Sequence, residues 1–575
     1  MRTGRGMARI SIAVLLVFAV VGIFVVRLVD IQIVQAEELN AQSHDKRAQS
    51  LITYGVRGAI IDASGAVLAD SVERFNIKAS PLAAFKRDNA DALVATEVAT
   101  IVAITGQDPA ELIAAMNVDR KSDFTYLAKY VTLAQYQAVY DLEIAWAYFE
   151  MVPDRVYPNG AVAGNLVGFR NEGPGAGLEI TENACLASID GEATYEKGEN
   201  GTMLPGSLVT EVKPKNGGTL RLTIDRDVQW YVQQRMIQAA QELGATWVTA
   251  VVIRISDGHL MAVADFPSVD PNSLDDAPPN GFGSLAFSTP YEPGSTIKAL
   301  TAASLIDAGV ADPSTPVQSP YALELSDGGI ITDAFPHPTL NLTLAGALVE
   351  SSNTAIAQYA ELLSAQQRHD YLTAFGLGDY TEVGFNGESS GLVHPAQQWD
   401  VRTTHTVQFG QGMQATSVQV ASAYQALGNG GLRMPVTLVE GCEWPDGTVT
   451  DLPPTEGRQV VSESAADQTI AIMEMVATAS SSAPNLQIPG YRVAVKSGTA
   501  QVAENGVYTD KVVLSYAGVA PADDPQYAVV VTAGVPDAVF SGRIASTFRD
   551  VMAYTLTAFR VSPSVGPGPE LPLTW

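Results

Sequence analysis

Basic residues are scarce in this chain. It has 34 Lys and Arg against 62 Asp and Glu among 575 residues, a net charge of −28. A surface that tracks a nucleic-acid backbone must be positive, so nucleic acid is excluded as a partner. Histidine is scarce too: the six are scattered, with neither an HExxH pattern nor paired-cysteine spacing. No metal and no cofactor is therefore expected. The two cysteines, Cys185 and Cys442, cannot build a disulfide framework, and the sequence leaves open whether they bridge or stay free. No internal repeat is visible, and after residue 29 no stretch is long and apolar enough to cross a bilayer.

What remains is a chain that is 46% hydrophobic and 17% charged, the composition of a globular protein with a core. Its length predicts roughly two to four domains. The N-terminus carries Arg2, Arg5 and Arg9 and no acid, followed by an apolar run at 10–26 that Leu28 and Val29 extend past Arg27. This predicts an uncleaved membrane anchor over 10–29 with a cytoplasmic tail at 1–9 and everything after it outside. A cleaved signal peptide is the competing reading, with a small-residue site at Val34-Gln35-Ala36. The long apolar run, and Arg27 and Asp30 between it and that site, oppose it.

The chemistry gathers around residues 291–303, YEPGSTIKALTAA. Pro293 and Gly294 punctuate the chain, and the Ala- and Leu-rich residues from Ile297 predict a helix. Ser295 and Lys298 then share one face, a turn apart. A serine hydroxyl is a weak nucleophile until a base takes its proton. A lysine kept neutral by burial or by a second cation can be that base. The pattern S-x-x-K alone is weak, since Ser43 and Lys46 match it in a polar segment. Two further stretches follow in order. Ser351-Ser352-Asn353 opens an Ala-rich helical segment, and Lys496-Ser497-Gly498-Thr499 continues a strand-like run at 491–495. Each has a plain structural reading: Ser351 and Asn353 as a helix N-cap, Lys496 to Gly498 as a strand end at a turn. Together they point to one acyl-transfer site.

S-x-x-K, S-x-N and K-[S/T]-G in this order resemble the serine acyltransferases that bind penicillin. Residues 57–69, RGAIIDASGAVLA, are similar to a signature in the non-catalytic pedestal of class B penicillin-binding proteins. Gly177-Leu178-Glu179 with Leu186 and Gly191 resembles that pedestal again, and Gly410-Gln411-Gly412 and the Asn-Gly-Gly at 429–431 resemble later family stretches. The resemblance spans roughly residues 1–560.

It implies an α+β architecture. A single transmembrane helix is followed by an elongated α/β pedestal (dimerisation) domain over 30–217. A transpeptidase domain over 218–561, an antiparallel sheet with helices on both sides, comes next. Residues 562–575 read as a loose Pro- and Gly-rich tail. Strands are expected at 220–225, 250–255, 259–264, 512–519 and 527–534, helices at 91–116, 228–243, 416–431 and 544–560, and a turn at Asn505-Gly506. The implied activity is D-Ala-D-Ala transpeptidation of peptidoglycan stem peptides through a serine acyl-enzyme, in an enzyme that β-lactams inhibit.

By the same resemblance Ser295 is the nucleophile and Lys298 its base. Ser351 relays the proton to or from the leaving amine, and Lys496 tunes both. Asn353, Ser497, Gly498 and Thr499 bind substrate, and the backbone N–H groups of Ser295 and Thr499 form the oxyanion hole. Ser497 stands where the family often has threonine, and it keeps the hydroxyl. A septal cell-division role is preferred over an elongation role. The implied partners are the cell membrane, a polytopic membrane glycosyltransferase and other division proteins. A D,D-carboxypeptidase or β-lactamase needs no such N-terminal half, and no clear E-x-x-L-N lies between the second and third motifs. A catalytically silent β-lactam sensor would carry several spans.

Overall fold

The computed structural model describes residues 3–35, 48–170, 175–196, 206–275, 277, 282–504, 507–537 and 542–575. Ser43, Lys46, Ala36 and the turn at Asn505-Gly506 lie outside the described residues. By contacts the chain separates into two units, Met1–Val56 with Ser188–Asn216, and Arg57–Ala187 with Gly217–Trp575.

The first unit holds the apolar helix Thr3–Val29 and a π-helical turn, Asp30–Val34. Among the described residues this is the one helix long and apolar enough to cross a membrane. Its large apolar side chains, from Ile10 to Val29, are exposed. The unit also contains a three-stranded antiparallel sheet, Ala48–Thr53, Gly191–Glu196 and Val209–Val212.

The second unit is built on two sheets. In the larger, the short strand Ile60–Ile61 pairs antiparallel with Val67–Ala79. Asp62 makes that turn: its Oδ1 accepts from Ser64 N and Ala66 N, and its Oδ2 from Arg226 N at 3.0 Å. Ile60–Ile61 also lies parallel to Thr219–Leu222, which pairs with Val439–Glu443. Here the two cysteines meet, and Cys185 and Cys442 are bonded with Cα atoms 5.9 Å apart. Glu179, wholly buried, accepts from Arg57 Nε and Arg155 Nε at 2.7 Å each, so its desolvation is offset by two guanidinium groups.

Beyond them Val67–Ala79 pairs with Thr125–Val131 and Ala147–Val156, packed on a small core of Phe75, Ile77, Val94, Val98, Ile101 and Met116. The helical region expected at 91–116 holds two helices, Ala90–Thr105 and Pro109–Asn117. Gly106 takes the left-handed conformation that closes the first, and Asp108 caps the second with Pro109 in its first turn.

The second sheet has the order Leu260–Phe266, Trp247–Arg254, Tyr527–Val535, Val507–Ala520, Ala494–Glu504, antiparallel throughout. Successive strand residues point to opposite faces. Val251 and Ile253 enter a core with Val420 and Tyr424 of helix Ser417–Gly428. Ala250 and Val252 enter another with Met236 of Arg226–Leu243 and Phe548 of Gly542–Ala558. Both faces are covered, so every residue of Tyr527–Val535 is buried. Helices on both sides of an antiparallel sheet are what the resemblance implied. The tail at 562–575, expected loose, is docked on this body: Thr343 N donates to Leu573 O at 3.1 Å and Ser564 N to Gly490 O at 3.0 Å.

Candidate active site

Ser295 sits in a 3-10 turn, Gly294–Thr296, that runs into the helix Ile297–Asp307. The turn is pinned from three sides. Tyr291 bridges Ala415 on the way in, Gly294 N donates to Gly410 O at 3.0 Å, and Tyr424 OH donates to Thr296 O at 2.8 Å. The third motif lies on the free edge strand Ala494–Glu504. Gly498 has no room for a side chain: a Cβ there would lie 2.3 Å from Ser515 Oγ on the adjacent strand and 2.9 Å from Pro293 O of the nucleophile turn.

The second motif is a junction between two helices. Leu344–Val349 ends, and Ser351 stands in left-handed backbone at φ +55°. Ser352 then caps Asn353–Ala360 by accepting from Ala355 N. The capping role that the plain structural reading gave Ser351 and Asn353 belongs to Ser352. The side chains of Ser351 and Asn353 are left for the cleft.

These elements bring the predicted residues together. Lys298 Nζ donates to Ser351 O at 2.5 Å and to Asn353 Oδ1 at 2.7 Å, with Ser351 Oγ at 3.4 Å. Lys496 Nζ donates to Ser351 Oγ at 2.9 Å and to Ser497 O at 3.0 Å. Ser295, Ser351, Asn353, Ser497 and Thr499 line one cleft of about 700 Å³. Among the described hydrogen bonds none involves Ser295 Oγ, and Lys298 is turned toward the second motif instead. Catalytic contacts of this kind commonly tighten only in the substrate complex.

Both lysines are wholly buried. Burial lowers Lys298 well below the usual lysine range, and repulsion from Lys496 lowers it further, against the opposing pull of Asp333. Burial brings Lys496 down to about 7. Burial and the nearby charge of Lys496 both favour Lys298 as a neutral amine. That is the state a base for serine must have.

The sequence reading missed Asp333. It lies in the loop segment ITDAFPHP, a lone carboxylate in no recognisable pattern, yet it lines the same cleft with Phe335 and His337. It accepts from the backbone N–H of Asn353 and Thr354.

Residues 248–553 match the family described as the penicillin binding protein transpeptidase domain, and residues 52–174 match the penicillin-binding protein dimerisation domain. The chain is 31% identical to penicillin-binding protein PbpB of Mycolicibacterium smegmatis, over 97% of this chain and 91% of that one. It is 30% identical to peptidoglycan D,D-transpeptidase FtsI of Escherichia coli K12, over 88% of this chain and 84% of that one. Among solved structures it is similar to a peptidoglycan synthetase from Bifidobacterium adolescentis, at 28% identity and TM-score 0.74, covering 92% of this chain and all of that one. It is also similar to penicillin binding protein 3 of Mycobacterium tuberculosis complexed with aztreonam, at 26% identity and TM-score 0.71, covering 91% of this chain and all of that one.

Proposed function

The chain belongs to the class B penicillin-binding proteins, peptidoglycan D,D-transpeptidases that join a dimerisation domain to a transpeptidase domain, and we propose that Ser295 is its acyl-accepting nucleophile, with Lys298 as base. Lys298, neutral, takes the proton of Ser295 Oγ as that oxygen attacks the carbonyl between the two terminal D-alanines of a stem peptide. The oxyanion that forms is held by the backbone N–H groups of Ser295 and Thr499. The C–N bond breaks, and the proton held by Lys298 passes through Ser351 to the leaving amine, so that D-alanine departs and a Ser295 ester remains. The amine of a second stem peptide then attacks the ester, gives its proton back through Ser351, and frees Ser295. Asn353 binds the stem-peptide backbone. Lys496, Ser497 and Thr499, with Gly498 allowing close approach, hold the terminal carboxylate.

The observation that carries this reading is the meeting of two buried lysines, Lys298 and Lys496, at Ser351 Oγ beside Ser295. We read the chain as a cytoplasmic tail at 1–9, an anchor at 10–29, a pedestal at 30–217 and an extracytoplasmic transpeptidase domain at 218–561. The arginine flank of the apolar helix supports that orientation. A septal role is supported by similarity to proteins named FtsI and PbpB. Class B enzymes lack a glycosyltransferase domain of their own, and membership of that family supports a polytopic membrane glycosyltransferase as the partner that makes the strands this enzyme cross-links.

Intact-mass spectrometry of the penicillin-treated full-length protein tests the site. Wild type should gain one equivalent, mapped to Ser295. Ser295→Ala should gain none, Lys298→Ala almost none, and Lys298→Arg should not rescue, since arginine stays protonated. Ser43→Ala and Lys46→Ala should react as wild type. A full-yield adduct in Ser295→Ala overturns the reading.

A further inference from the structure

We propose that Asp333 is a positioning residue for acylation: it fixes the backbone of Asn353 and Thr354 so that Asn353 Oδ1 meets Lys298, and it sets a buried negative charge within reach of that lysine. The proposal rests on the reading of Lys298 as the base.

Asp333 lies in the loop between the short strand Ile330–Thr332 and the strand Leu340–Thr343, with a side chain only 8% exposed. Its Oδ1 accepts from Asn353 N at 2.5 Å and Thr354 N at 3.1 Å. Its Oδ2 accepts from Ser352 Oγ at 2.8 Å and Thr354 Oγ1 at 3.3 Å. His337 Nε2 stands 2.9 Å from the same oxygen. One carboxylate thus ties down Ser352 and Asn353 of the second motif and Thr354 just after it.

The neighbouring residue completes the orientation. Asn353 Nδ2 donates to Thr332 O at 3.0 Å, which leaves Asn353 Oδ1 turned to Lys298 Nζ at 2.7 Å. The amide cannot flip without losing both bonds. Asp333 and Thr332 are adjacent, so one short loop sets both the backbone and the side chain of Asn353. The chain of contact runs Asp333, Asn353, Lys298.

Charge is the second half of the role. Lys298 and Lys496 are both buried and repel each other. Asp333 is the carboxylate that acts on Lys298 in the opposite sense. His337 in turn faces Asp333, Glu350 and the Tyr321 ring. Removing the negative charge should leave Lys298 easier to deprotonate. Removing the acceptors should let the second motif drift from the lysine.

The test is the second-order rate of penicillin acylation against pH for wild type, Asp333→Asn and Asp333→Ala. Asparagine keeps an acceptor for Asn353 N but loses the charge, so the acid limb of its profile should move to lower pH. Alanine should show the same shift with a plateau lower by about tenfold or more. The double variant Asp333→Ala/Asn353→Ala should react no more slowly than Asn353→Ala alone, because Asp333 acts through Asn353. Independent, multiplying losses in that cycle, or an acid limb that stays in place in Asp333→Asn, overturn the proposal. Thermal unfolding of each variant separates a lost fold from a lost position, and Asp333→Asn, the milder change, keeps the pH measurement accessible. Failure of the base assignment itself would look different: Lys298→Ala would retain the adduct whatever stands at 333.

Discussion

Lys496 Nζ donates to Ser351 Oγ across 2.9 Å, and the serine that receives it stands in left-handed backbone at φ +55°. A side chain in that conformation costs on the order of 1 kcal/mol or more. The strain is held by the end of the preceding helix, Ser351 N donating to Leu348 O and Ser352 N to Ala347 O. It aims the hydroxyl at two lysines.

Ser351→Gly separates the two roles of this residue. Glycine accepts the backbone without strain, so thermal stability should hold or rise. Loss of the hydroxyl should slow penicillin acylation by about 100-fold or more, the range of general acid–base effects. A variant that reacts at the wild-type rate would remove Ser351 from the proton path.

Asp265 offers a pH prediction away from the cleft. It is 3% exposed, and burial drives its carboxyl up to about 6 against the pull of Ser284 and the N–H groups of Ala286 and Leu285. A raised carboxyl favours its neutral form in the fold. The stability it contributes is complete below the ordinary value of 3.8 and is lost as pH rises through about 6. Asp265→Asn keeps an acceptor for Ala286 N and carries no charge. Chemical denaturation should find it more stable than wild type by roughly 3 kcal/mol at neutral pH, with the gap closing below pH about 4. A constant gap across that range would mean Asp265 titrates normally.

The bond between Cys185 and Cys442 leaves a mark on a third residue. A Cβ on Gly218 would lie 2.4 Å from Cys442 Sγ and 3.2 Å from Cys185 Sγ. Gly218→Ala should therefore cost about 1–3 kcal/mol in the oxidised protein. In a Cys185→Ala/Cys442→Ala background both sulfurs are gone, and the same change should cost much less. Equal costs in the two backgrounds would show that the sulfurs do not crowd this site.

What could be read in the sequence follows from how local each signal is. Ser295 and Lys298 are three residues apart, and Lys496 to Thr499 form one strand segment, so short patterns carried them. The break at Gly106, Asp108 and Pro109 is equally local and divides one helical region into two helices. The pairing of Cys185 with Cys442 spans 257 residues, and spacing alone cannot choose a bridge over two thiols. Asp333 is legible only through its acceptors' position in space. The tail misled by composition: a Pro- and Gly-rich segment with no regular structure of its own can still lend its carbonyls to a folded body.

That docking gives the last prediction. Leu573 O accepts from Thr343 N at 3.1 Å, Pro572 O from Thr343 Oγ1 at 2.6 Å, and Trp575 Nε1 donates to Val317 O at 3.3 Å. Thr343 is also the N-cap of Leu344–Val349, the helix that leads into Ser351. The tail runs so near this helix that a Cβ on Gly346 would lie 1.9 Å from Leu573 O. At its other end Ser564 Oγ accepts from Arg492 N at 2.9 Å, just ahead of the third motif. The tail thus braces the approaches to Ser351 and to Lys496. Truncation after Val561 removes these hydrogen bonds, each worth about 1 kcal/mol net, and should lower the unfolding temperature and slow penicillin acylation together. Gly346→Ala should do the same in the full chain by forcing Leu573 away, and should add little once the tail is gone. A truncated protein that unfolds and acylates like wild type would show that the second and third motifs stand without this brace.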